Sequence, residues 1–264
     1  MKIGIGSYTW PWAVGREGHE PEFPVDSFEL LERARKLELS VVQLADKPDL
    51  HEMSPEELER LSSAAQENSI VIEAGTRGIE PSHLSDYLRI AKILGSKLVR
   101  TITSKTDDDA LRCISEVLPA YEAAGICIAL ENHDEFSSEE FAGFIDRIGS
   151  DCVGVCLDTV NSFAALETPE KVVSCLAQYT LNLHVKDFDI VRTATGLGFS
   201  ITGAPAGQGR LDIRWICDCI KKAGKDPNAV IELWTPFMAT LEDTIQKENE
   251  WAVQSVEYMK SLMR

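Results

Sequence analysis

The stretch Ile126-Cys-Ile-Ala-Leu-Glu131, with its counterpart Val153-Gly-Val-Cys-Leu-Asp158 one interval later, decides the fold. Each is a short run rich in Val, Ile and Leu that ends on a carboxylate. Working outward, similar β-type runs lie at Lys2–Ser7, Ser40–Ala45, Ile70–Gly75 and Lys97–Ile102 upstream, and at Leu181–Lys186 and Ala229–Trp234 downstream. The intervals carry helix-like patterns. Val25–Leu39 sets Phe28, Leu31 and Ala34 on one face, and Ser54 with Glu57 three residues on forms a capping box. Ser82–Leu94, Asp107–Ala124, Ser137–Ile148, Pro169–Tyr179, Asp212–Ala223 and Leu241–Leu262 follow. Eight β–α alternations predict parallel strands joined by crossover helices. Their near-equal spacing predicts an α/β fold, a single-domain (β/α)8 TIM barrel over residues 1–264. A doubly wound open sheet would carry Gly-x-Gly-x-x-Gly after its first strand, and Lys2-Ile-Gly-Ile-Gly-Ser has no third glycine. The wide interval Phe188–Gly209 is Gly-rich and polar and reads as a long loop on the catalytic face.

The chain has 264 residues, 44% hydrophobic and 26% charged, an ordinary balance for a globular protein able to bury a large core. Its 26 Lys and Arg against 43 Asp and Glu give a net charge of −17. Such a chain repels phosphate backbones and anionic lipid surfaces, so nucleic acid and membrane are disfavoured as partners. Seven cysteines occur without a Cys-x-x-Cys pair, mostly in apolar runs, and read as reduced buried thiols. The N-terminus MKIGIGSYTW is too short an apolar run for a signal peptide, and no run reaches membrane-spanning length. A cytoplasmic protein is expected.

Alternate residues of a strand face opposite sides. One face of the strand-five run carries Cys127, Ala129 and Glu131; the other carries Ile126, Ile128 and Leu130. In strand six, Gly154, Cys156 and Asp158 oppose Val153, Val155 and Leu157. Strand seven sets Asn182 and His184 against Leu181 and Leu183, and strand eight sets Val230 and Glu232 against Ile231 and Leu233. The aliphatic faces suit packing under a helix shell. The other faces end in an ionisable group at the C-terminal end of the strand, where barrel enzymes build their sites. Glu131, Asp158, His184 and Glu232 are therefore expected to converge at the barrel mouth. Three carboxylates brought together raise one another's pKa, and a divalent cation relieves that repulsion. Three oxygen ligands and one imidazole suit Mn2+ foremost, with Mg2+, Co2+ or Zn2+ as other candidates.

The order of five motifs resembles the xylose-isomerase-like TIM-barrel superfamily of sugar phosphate isomerases and epimerases. They are Ala129-Leu-Glu131-Asn132-His133, Cys156-Leu-Asp158-Thr159-Val-Asn161, His184-Val-Lys186-Asp187, Gly207-Gln-Gly209-Arg-Leu-Asp212 and Ile231-Glu232-Leu-Trp234. The resemblance covers the second half of the chain. It implies one divalent metal ion held by Glu131, Asp158, His184 and Glu232, with Glu131 and Glu232 also carrying protons on opposite faces of a carbon beside a carbonyl. The implied function is isomerisation or epimerisation of a small sugar, ketose or sugar acid through a metal-stabilised cis-enediolate. Relatives of this kind commonly form homo-oligomers, as dimers or tetramers, and the oligomeric state of this chain is left open. The chain departs from the ketose 3-epimerase pattern at Asn161, where that branch has His, and at Ile190, where it has Arg. The His-Val-Lys-Asp motif is instead similar to the strand-seven motif of inosose dehydratases, so the alternative is a lyase using the same metal and the same first proton abstraction. Loss of water in deuterated solvent would mark the lyase, and exchange without it the isomerase.

Lys186 shares the parity of His184 and is a candidate acid, base or substrate ligand, against pairing with Asp187 at the strand end. His133 is a candidate substrate hydrogen bond or a partner of a metal ligand. Asn161 either binds a hydroxyl or caps the turn after strand six, and Gln208, between two glycines, lies in a loop that could close on the ligand. Trp10, Trp12 and Trp234 read as a sugar-facing wall or as packing. Glu73 could reach the mouth; the facing of Arg100 is open. Asp107-Asp-Asp109 reads as a first helical turn. A serine hydrolase lacks its Gly-x-Ser-x-Gly elbow. An apurinic endonuclease lacks its histidines, with five in the chain. A non-catalytic sugar-binding barrel would show no proton exchange.

Overall fold

The structure is a computed structural model describing residues 1–46 and 50–263. A closed parallel barrel runs through β1 (Ile3–Gly6), β2 (Val41–Ala45), β3 (Val71–Gly75), β4 (Leu98–Thr101), β5 (Cys127–Glu131), β6 (Val153–Asp158), β7 (Thr180–Val185) and β10 (Asn228–Ile231), which pairs back onto β1. The expected single-domain TIM barrel is what forms. Around it lie α2 (Ser27–Lys36), α3 (Pro55–Glu67), α4 (Pro81–Leu94), α5 (Asp108–Ala124), α6 (Ser138–Ile148), α7 (Pro169–Leu176), α8 (Ile213–Lys222) and α9 (Leu241–Leu262). A short α1 (Pro11–Val14) sits between β1 and α2. No helix of the described residues is long and apolar enough to cross a membrane.

The helix starts follow local chemistry. Asp26 accepts from the Glu29 N–H at 2.8 Å, Ser54 and Glu57 form the reciprocal capping box, and Asp107 accepts from the Ala110 N–H at 2.9 Å. The acidic run therefore caps α5, with Asp108 and Asp109 in its first turn. Between strands and helices the aliphatic faces form one continuous core that includes Val42, Ile72, Val99, Ile128, Val155, Leu157, Leu183 and Ile231.

The lumen is different. Leu98, Ala129 and Cys156 make a small apolar cluster there, while Gln43, Glu73, Arg100, Glu131, Asp158, Asn182 and His184 are buried on the strands and Glu232 just past the end of β10. Barrel interiors are ordinarily filled by branched aliphatics. Burying this many polar groups costs free energy that only mutual hydrogen bonding or a bound ligand offsets.

The interval Phe188–Gly209 departs from the expected loop. Asp187–Arg192 (β8) and Phe199–Ala204 (β9) form an antiparallel ribbon with Ile190 opposite Ile201 and Val191 opposite Ser200. Alternating β-formers on both sides of a Thr- and Gly-rich turn drive the pairing. Asp187 anchors its base by accepting backbone N–H bonds from Phe188, Gly207, Gly209 and Leu211 at 2.8–3.0 Å. The two glycines of that loop are required. A Cβ on Gly209 would lie 2.2 Å from Asp187 Oδ1, and one on Gly207 (φ +80°) 2.3 Å from the Tyr258 ring.

Candidate active site

Register brings the ionisable groups to one level. Glu131 on β5 pairs with Cys156 on β6, and Asp158 on β6 with His184 on β7, which in turn pairs with Val230 two residues before Glu232. Asp158, His184 and Glu232 present ligand atoms within 4.8 Å of one another. His184 Nδ1 lies 3.2 Å from Glu232 Oε1 and 3.4 Å from Glu131 Oε2. The structure thus brings together all four residues expected to converge, and all four are buried.

Two cations sit among them. Lys186 Nζ lies 2.9 Å from Asp158 Oδ2 and 2.8 Å from Glu232 Oε2, so it faces the cluster and not Asp187. Burial works against its charge, but Asp158 and Glu232 more than compensate and hold its pKa well above the usual lysine value. Arg100, whose facing the sequence left open, points inward. It pairs with Glu131 through both Nε and Nη2 and also bonds the Thr76 carbonyl. Room for it comes from small neighbours in register, Gly75 on one side and Ala129 on the other. Burial alone would raise the Glu131 carboxyl. The Arg100 guanidinium outweighs that and holds it at about 2. Asn161 bridges the two systems, its Nδ2 donating to Glu131 Oε1 at 2.8 Å and its Oδ1 accepting from Lys186 at 3.3 Å.

The other candidates divide. His133 lines the pocket, half-buried beside Asp134 and Glu135. Trp12 and Trp234 line it too, with Lys186 Nζ 5.5 Å from the Trp234 ring centre, whereas Trp10 is buried against Arg33 and Asn249. Gln208 is exposed and bonds Gln254 on α9, outside the pocket, because the loop carrying it is tied to Asp187. Glu73 does not reach the mouth. Its carboxylate accepts from the side-chain amides of Asn182 (2.8 Å) and Asn228 (2.7 Å) near the strand starts, and from Gln43 (3.1 Å). Burial raises its pKa against those bonds. Gln43, which sequence reasoning missed, signals itself only as the lone polar residue of Val41-Val-Gln-Leu-Ala45.

The donor set fits a divalent cation. His184 Nδ1 is a buried atom without a hydrogen bond among the described residues, and it faces the carboxylate cluster together with Asp158 Oδ2, whose partner is Lys186. Cys156 also approaches Glu131 and His184, but burial keeps its thiol protonated, so oxygen and imidazole are the ligands on offer. The pocket above them holds about 460 Å³ and adjoins a cavity of about 790 Å³, sharing Tyr8, Pro11, Arg16 and Arg77 with it.

Comparison with known proteins agrees with the fold. Residues 31–262 match the family described as xylose isomerase-like TIM barrel. The chain belongs to that family. Among its relatives is a 3-oxo-isoapionate decarboxylase of Pectobacterium atrosepticum, 32% identical across 98% of this chain and 95% of the relative. The xylose isomerase-like fold is shared with D-psicose 3-epimerase from Clostridium cellulolyticum H10, solved with D-tagatose (TM-score 0.76, 17% identity, all of both chains). It is also shared with a Mycobacterium smegmatis xylose isomerase-like TIM-barrel protein solved with magnesium (TM-score 0.69, 15% identity, 96% of each chain).

Proposed function

We propose that this xylose isomerase-like chain is a divalent-metal-dependent enzyme that generates an enolate-type anion beside the carbonyl of a small sugar acid, by decarboxylating a 3-oxo sugar acid. The supporting relative is the 3-oxo-isoapionate decarboxylase. The observation that carries the choice of reaction is the clamp on Glu131. Arg100 and Asn161 occupy both its oxygens, and its carboxyl sits at about 2. A carboxylate so stabilised is a poor base for a carbon acid, because proton abstraction follows basicity. Loss of CO2 needs no base. The electrons of the breaking C–C bond flow into the adjacent carbonyl, and the carbon then takes a proton from solvent or a pocket acid.

Glu131, Asp158, His184 and Glu232 would hold the ion, which supplies positive charge for the developing oxyanion. Lys186 and Arg100 put two permanent cations at the floor of the pocket. Arg16 and Arg77 also line its wall; Arg77 is paired with Asp46 at 2.9 Å, whereas Arg16 has no ion pair among the described residues and suits an anionic substrate. A second reading, isomerase or epimerase, is favoured by one feature. Glu131 and Glu232 lie on either side of His184 Nδ1, two neighbouring carboxylates of the kind such a proton transfer uses. Turnover in deuterated water separates the two. The expected result is CO2 release from a 3-oxo sugar acid with one deuterium incorporated per turnover. Deuterium exchange into free ketoses with no CO2 formed would establish the second reading instead.

A further inference from the structure

The buried amide network beneath His184 has no role in the chemistry above, yet its geometry constrains that chemistry. Gln43 Oε1 lies 2.7 Å from His184 Nε2. The orientation of the Gln43 amide is fixed from the other side. Its Nε2 donates to Glu73 Oε2 at 3.1 Å and to Asn182 Oδ1 at 3.0 Å. Both are acceptors. Asn182 cannot turn over, since its own Nδ2 donates to Glu73 at 2.8 Å. A flipped Gln43 would set its oxygen against the Glu73 carboxylate. The carbonyl oxygen must therefore face the imidazole, and an oxygen there accepts, so Nε2 carries the proton. A neutral imidazole protonated at Nε2 has its lone pair on Nδ1. That is the atom left without a hydrogen bond and aimed between Glu131 and Glu232.

We infer that Gln43, held by Glu73 and Asn182, is a positioning residue that locks His184 in the tautomer whose Nδ1 can ligate a divalent cation. The inference rests on the metal-dependent reading of the site and adds to it the residues that prepare the ligand. Groups behind a metal-bound histidine fix its tautomer and ring orientation, and losing them typically weakens metal binding 10–100-fold. Here the whole device lies inside the barrel, built from β2, β3 and β7. Without it, either ring nitrogen could carry the proton.

The tests use the full chain. In the wild type labelled with 15N-histidine, Nε2 of the buried His184 ring is expected to be protonated, as its bond to Gln43 Oε1 requires, leaving Nδ1 as the nitrogen open to a cation. Titration with Mn2+ alone is expected to give about 10–100-fold weaker binding in Glu73→Gln and Gln43→Leu than in the wild type, at unchanged far-UV circular dichroism. Glu73→Gln keeps shape and touches no proposed ligand, so simple loss of a ligand would not produce that effect. A wild-type His184 without a proton on Nε2 overturns the inference, as does Mn2+ affinity within twofold of wild type in both variants. Should a variant fail to fold, the wild-type nitrogen spectrum decides. Failure of the wild type to bind Mn2+ would count against the metal-dependent function, while the spectrum would still decide the role of Gln43.

Discussion

Glu248 on α9 is fully buried, and its two oxygens accept the backbone N–H groups of Trp12 (2.9 Å) and Ala13 (3.1 Å). It thereby ties down α1, the segment that brings Pro11, Trp12 and Arg16 to the pocket wall. Desolvation raises its carboxyl from the ordinary 4.5 to about 7, against the pull of the two N–H bonds and of Arg33 and Arg16. The folded state therefore holds a proton that the unfolded chain releases near its ordinary value. Stability from this group is complete below about pH 4.5 and is lost as pH rises through 7. The gap is worth about 3 kcal/mol at 1.36 kcal/mol per pH unit. Urea unfolding followed by tryptophan fluorescence, from pH 4.5 to 8.5, measures it in the wild type and in Glu248→Gln. The variant loses one acceptor at every pH, a constant cost of about 1 kcal/mol. The difference between the two curves should then move by about 3 kcal/mol in favour of the variant as pH rises. Parallel curves across that range would refute the assignment of a buried, readily protonated carboxyl at this position.

Arg100→Met leaves Glu131 buried beside an apolar side chain, and should cost about 3–5 kcal/mol in chemical unfolding at neutral pH. A divalent ion bound by the folded state alone should raise stability by about 2.7 kcal/mol at a hundredfold excess over its Kd, read as a thermal shift that a chelator reverses. Gln208→Ala should leave kcat/KM within about twofold of wild type, since the side chain reaches Gln254 and not the pocket.

Side-chain alternation alone located Glu131, Asp158, His184 and Glu232, because these strands set aliphatics against small or polar residues, with Val230 the exception. Arg100 was illegible for a definite reason. Val99 and Thr101 on its other face are both β-branched, so local pattern gives no contrast, and the space it occupies is made by Gly75 and Ala129 on other strands. Only register reveals that. Glu73 shows the complementary failure. Its inward facing was readable, but its height was not. Strand stagger sets it beside Asn182 and Asn228 near the strand starts, one level below the site. The ribbon β8–β9 was hidden by composition. Its Thr- and Gly-rich turn dominated the interval, while the alternation through Ile190 and Ile201 was the signal that counted.

The charge of the lumen ties these elements to function. Four buried carboxylates, Glu73, Glu131, Asp158 and Glu232, face two fixed cations, Arg100 and Lys186. Burial favours the protonated form of Glu73, so Glu131, Asp158 and Glu232 face Arg100 and Lys186 with one negative charge left over beside His184. Isolated buried charge is too costly to persist, so such a site either takes up protons or holds a cation. Glu131 cannot take up the proton cheaply, because Arg100 stabilises its ionised form and holds the carboxyl at about 2. Protonating Asp158 or Glu232 would forfeit their pairing with Lys186. A divalent ion would offset the excess beside His184 Nδ1, where it would share Asp158 Oδ2 and Glu232 with Lys186. The same imbalance explains why Lys186 is held so firmly in its charged form.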